Sequence, residues 1–113
     1  MQDEARKLLV DIRDALNDIS TFTAGMSLLD YEKDDLRRAA VERKFEIIGE
    51  ACNRLSYRDS ETFEKIPQAP QIIGFRNRLI HGYDAVDDAI VWDVVQSKLP
   101  ILEVEVLSLL GIR

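Results

Sequence analysis

Val41-Glu42-Arg43-Lys44-Phe45-Glu46-Ile47-Ile48-Gly49-Glu50-Ala51-Cys52-Asn53-Arg54-Leu55 is the stretch that decides the fold. Val41, Phe45, Ile48, Cys52 and Leu55 follow one another in alternating four- and three-residue steps, which is one apolar stripe of an α-helix. Leu36, Ala40, Ile47 and Ala51 form a second stripe beside it. Two stripes are more apolar surface than one antiparallel neighbour covers. The helix therefore needs a second contact, either another helix of the chain or a second copy of it.

Outward from this segment the same periodicity repeats. Leu9, Ile12, Leu16 and Ile19 place a first helix over about Asp3–Thr23, ended by Gly25. Asp30 is the expected N-cap of the second helix, which runs to about Leu55. Residues 56–70 form a break, in which Ser60 caps a short helical turn and Pro67 stops it. Pro70 opens a third helix that reaches about His81, with Gly82 in the left-handed closing position. Asp84 or Asp87 caps a last helix to about Leu110, with Ile90, Val91, Val94 and Val95 inward and a kink at Pro100. The expectation is an all-α fold. It is one domain over residues 1–113, an up-and-down four-helix bundle with a short extra turn and a Pro-kinked last helix.

Bulk properties narrow the function. A chain of 113 residues, 46% hydrophobic and 32% charged, suits a helix-rich domain with a real core. The net charge of −6 argues against a protein that coats nucleic acid nonspecifically. One cysteine, Cys52, excludes an internal disulfide and a thiolate metal cluster within one chain. The absence of a long apolar run and of a basic-then-apolar N-terminus points to a cytoplasmic location.

The chemistry-bearing segment is Arg76-Asn77-Arg78-Leu79-Ile80-His81-Gly82-Tyr83, which holds the only histidine. It lies in a window from Lys65 to Tyr83 without Asp or Glu, although the chain contains 21 of them. A histidine transfers protons near neutral pH, and arginine is the usual partner of a phosphate oxygen. Together they fit work on a phosphodiester, while a helix-end histidine with solvated arginines fits the same residues. On an ideal helix Arg76 and His81 stand about 140° apart. A joint site therefore needs the helix to unwind at Gly82 or a second chain, as in a homodimer whose two motifs face one cleft. The reaction open to such a pair without metal is RNA cleavage through the neighbouring 2′-hydroxyl. His81 moves the proton and Arg76 stabilises the phosphorane oxygens. DNA lacks that hydroxyl. Asn77 is a candidate to orient the phosphate or the imidazole, and Arg78 to guide the backbone.

Other sites are poorly supported. The adjacent pairs Asp34–Asp35 and Asp87–Asp88 point to different faces and read as caps or surface. Cys52, Phe45 and Trp92 read as core. Arg37, Arg38, Arg43 and Lys44 read as a solvated face, with an RNA groove as the alternative. No metal or cofactor is expected.

Arg76-Asn77-x-x-x-His81-x-Tyr83 resembles the Arg-x4-His-x-Tyr signature of HepT-like proteins, a branch of the all-helical HEPN superfamily. Ala40–Ala51, Ile66-Pro67, Val91-Trp92-Asp93-Val94-Val95 and Leu99-Pro100 are similar to the family's flanking helices. Family members often carry a tryptophan before the motif, where this chain has Gln68-Ala69-Pro70-Gln71. The resemblance implies a metal-independent ribonuclease toxin acting as a homodimer, with Arg76 and His81 catalytic. It also implies an antitoxin partner, a small nucleotidyltransferase of the MNT type that adds AMP to Tyr83. Transfer RNA is the substrate it suggests. Two other readings stay open: a non-catalytic helical subunit that helps a nucleotidyltransferase bind substrate or nucleotide, and a plain dimerisation bundle.

Overall fold

The computed structural model describes residues 1–81 and 86–112, with the side chains of Ile80 and His81 outside the description. Seven helices follow in order: α1 Asp3–Thr23, α2 Leu28–Lys33, α3 Asp35–Arg58, α4 Ser60–Phe63, α5 Ala69–His81, α6 Asp88–Ser97 and α7 Leu99–Leu110. No strand occurs among the described residues. The all-α expectation holds.

Helix α3 is the central element. It packs along α1 on one side and α5 on the other, and α1 also meets α7. The predicted seam explains this placement, because Val41, Phe45, Ile48, Cys52 and Leu55 are all fully buried. Helix α1 answers with Leu9, Ile12, Leu16 and Ile19, and α7 with Leu102 and Val106. Phe45 meets Phe75 of α5 edge to face, with ring centroids 5.0 Å apart.

Five expectations are corrected. First, Asp30 does not cap the long helix. Ser27 caps α2 and Asp30, the third residue of that helix, completes a capping box, each side chain bonding the other's backbone N–H. The chain then breaks at Asp34, whose carboxylate accepts from the Arg37 N–H and starts α3. Second, Leu36 is 82% exposed rather than part of a packed stripe. The adjoining core is filled instead by the buried Tyr31 of α2, whose ring lies 5.4 Å from Trp92. Third, the last helix is divided at Lys98, one residue after α6 and two before Pro100, so the kink becomes a break. Fourth, Ile90 is 42% exposed, while Val91 and Val95 face inward. Fifth, the short turn is capped by Asp59 rather than Ser60. Asp87 caps α6, as one of the two expected candidates. Asp84 and the closing role of Gly82 lie outside the described residues.

Candidate functional site

Helix α5 carries the motif, and its docking on α3 fixes Arg76. Gly49 lies directly beneath the stem of Arg76. A Cβ there would overlap Arg76 Cβ and Cγ, so α3 needs a residue without a side chain at this crossing. The stem therefore lies flat and the guanidinium emerges with a set direction. Its Nη2 donates to Glu50 Oε2 at 2.9 Å, and its Nη1 to Asn77 Oδ1 at 3.0 Å. Glu50 also holds the Nε of Arg54 at 3.4 Å. The Arg76 side chain is 22% exposed, and its Nε is buried without a partner among the described residues. A guanidinium has five N–H donors in a planar fork. Two are engaged here and the Nε is buried, so one N–H on each terminal nitrogen remains to meet an oxyanion arriving from the open side.

Asn77 is exposed, and its amide oxygen is committed to Arg76. It acts on the arginine in this state, which narrows the two roles expected of it. Arg78 is exposed on a different face of α5 from Arg76. His81 is the last residue of α5. Its helical register places it with Gln71, Gly74 and Arg78 rather than with Arg76. The contact expected between His81 and Arg76 falls on a side chain outside the described residues, as does Tyr83.

Helix α3's basic stretch is occupied by internal partners. Arg38 meets Asp35, Asp88 and the carbonyl of Glu32. Arg43 pairs with Glu46, Lys44 with Asp18 at 2.8 Å, and Arg37 donates to the carbonyl of Phe22. This matches a structural, solvated face rather than an RNA groove. Cys52 is buried, and burial pushes its thiol up to about 12, so it carries no thiolate at neutral pH. Among the described residues no cluster of His, Cys, Asp or Glu could hold a metal ion, and no helix is long and apolar enough to cross a membrane.

Gly49 and Glu50 are the site residues that sequence reasoning passed over. The signal was present: a glycine on the buried seam of a helix costs stability unless something packs against it closely.

The fold and the motif helix define an all-helical bundle of the HEPN class. The family model described as ribonuclease HepT-like matches residues 12–109, and the chain belongs to that family. A Methanocaldococcus jannaschii protein provisionally named RNase MJ1380 is 33% identical over 105 residues, covering 91% of this chain and 94% of its own. A Thermococcus cleftensis protein named a probable ribonuclease HepT is 31% identical, covering 91% and 93%. A provisionally named RNase of Caldanaerobacter subterraneus, TTE0752, is 37% identical over 86 residues, or 76% of each chain. No solved structure matches the chain.

Proposed function

We propose that the chain is a metal-independent endoribonuclease and the toxin of a toxin–antitoxin pair. The observation that carries this reading is the clamped guanidinium of Arg76. Its stem is pinned on Gly49 and its fork is oriented by Glu50 and Asn77, five residues before the one histidine. A cation held in place before the reaction costs no reorganisation when charge builds on a phosphorane. Membership of the ribonuclease HepT-like family supports the same assignment.

In this mechanism the RNA 2′-hydroxyl attacks the adjacent phosphorus and the bond to the leaving 5′-oxygen breaks. His81 takes the proton from the 2′-hydroxyl or delivers one to the leaving oxygen. Arg76 stabilises the phosphorane oxygens, and the products are a 2′,3′-cyclic phosphate and a 5′-hydroxyl. The different registers of Arg76 and His81 on α5 support a site completed by a second copy of the chain. Exposed Ile101 and Val104 on α7 offer apolar surface to a second copy. The partner is an MNT-type nucleotidyltransferase that places AMP on Tyr83, where added negative charge and bulk repel RNA.

Incubation of purified protein with transfer RNA in chelator tests the reading. Cleavage by the wild type falls by about 10²–10⁴-fold in His81→Ala, the range of a lost general acid–base group. Equal residual RNA with wild type and His81→Ala would overturn it.

A further inference from the structure

The face of α5 turned away from Arg76 borders a second site. Between α5 and α6 lies an open groove of about 370 Å³. That volume is near the small end of the range for sites that hold a single small molecule, roughly 300–1,000 Å³. Its floor is apolar: Ile72 and Phe75 from α5, Ile90 and Val94 from α6. Phe75 is a fixed wall, because Phe45 holds its ring edge to face. Gly74 leaves the near side open, since a Cβ there would meet nothing within 4 Å.

Two cations border this floor, Arg78 and Lys98, and no carboxylate lines it. Among the described residues neither cation forms an ion pair, in contrast to Arg38, Arg43 and Lys44 on α3. Gln71 adds an amide. Arg78 enters the groove from α5 and Lys98 from the residue that follows α6, so the two cations come from different parts of the chain. Seven residues of helix separate Gln71 from Arg78, about 10 Å of rise. The groove's volume suits one nucleotide, with its base on the apolar floor and its phosphates towards the two cations.

We propose that this groove is a nucleotide subsite that takes one unstacked base of single-stranded RNA, with the flanking phosphates on Arg78 and Lys98. The assignment rests on the ribonuclease reading and adds a substrate class to it. Gln71, Gly74, Arg78 and His81 follow one register of α5. The groove therefore lies on the side of α5 away from the Arg76–Glu50 pair, along the register that leads to position 81. A base must leave its helix to enter, so paired RNA is excluded.

The probe is a fluorescein-labelled, fully 2′-O-methylated RNA pentamer, which cannot be cut through its 2′-hydroxyl. Binding to the full chain is followed by anisotropy across a salt series. Gly74→Leu fills the groove from an exposed helix position, and Lys98→Ala removes one cation without touching the core. Each variant weakens the pentamer by about tenfold, the scale of one lost base stack or phosphate contact. Only Lys98→Ala flattens the salt dependence, by about 0.7 in logarithmic slope. A pentamer annealed to its complement binds more weakly than the free strand.

Wild-type affinity in both variants would overturn the subsite while leaving ribonuclease activity to its own assay. Pentamer bound in the groove by a protein that cuts no RNA would sink the nuclease reading and keep the subsite. If Gly74→Leu instead converts a dimer to a monomer in sedimentation with pentamer affinity intact, a second copy fills the groove and the proposal falls.

Discussion

Alanine at Gly49 and alanine at Gly74 should shift stability in opposite directions. Both glycines lie within helices at ordinary helical φ, so backbone entropy alone favours alanine at each by about 0.5–1 kcal/mol. The surroundings decide the sign. At Gly74 the new methyl meets nothing within 4 Å, and the gain is kept. At Gly49 the methyl overlaps Cβ and Cγ of Arg76 and presses on Cδ at 3.2 Å. Those atoms sit at the root of the side chain and move only if α5 moves. Relief to ordinary carbon contact, about 3.5–4.0 Å, requires α5 to back away by about 1.2–1.7 Å. Overpacking of this kind costs about 1–3 kcal/mol, so Gly49→Ala is destabilised by about 1–2 kcal/mol net. Urea denaturation followed by circular dichroism measures both variants, with the slope unchanged and only the midpoint displaced. The same displacement of α5 carries the guanidinium away from Glu50, so RNA cleavage falls in Gly49→Ala more than in Gly74→Ala. A Gly49→Ala protein as stable as the wild type would refute the claim that α5 rests on α3 through the Arg76 stem.

Phe45→Ala removes the buried ring that joins the α3 seam to Phe75, and calorimetry should register a loss of about 3–5 kcal/mol. Glu42 has its carboxyl raised above the usual range, first by burial and then by Asp88, with Arg38 opposing. Its folded pKa exceeds its unfolded one, so ionisation weakens the fold at neutral pH and the penalty fades as pH falls through the folded value and below about 4.5. Glu42→Gln should therefore be more stable than wild type at pH 7 and equal to it at pH 3.5, as read from paired denaturation curves. Cys52, buried with its thiol raised to about 12, should react with a thiol reagent in native protein only as fast as the chain opens. A stoichiometric burst at pH 7.5 would show that the α3 seam is not closed.

The seam of α3 was readable because its periodicity has a single geometric solution, and all five of its residues are buried. The boundaries around Asp30 and Asp34 were less readable because both carboxylates are good caps and lie four residues apart. Only the position of Tyr31 in the core settles which one starts α3. Ile90 misled for a similar reason. Its spacing matches Val94, and both border a groove that α5 leaves open rather than a closed core. In the site, the motif could be seen in the sequence, but the partners of Arg76 could not. The contact between Arg76 and Glu50 spans 26 positions, and it depends on how α5 crosses α3. Lys98 was equally hidden, since it joins Arg78 only through the pairing of two helices.

Arg38 reaches Asp88 at the start of α6, and Glu50 reaches Arg76 near the end of α5. Both strands of chain that enter and leave residues 82–87 are thus tethered to the same helix, at points about 18 Å apart along its axis. A rigid rod of this sort acts as a gauge. Adding or deleting a residue in the connection should leave both anchored ends in place. Relatives with a longer or shorter connection here should still superpose on α5 and α6.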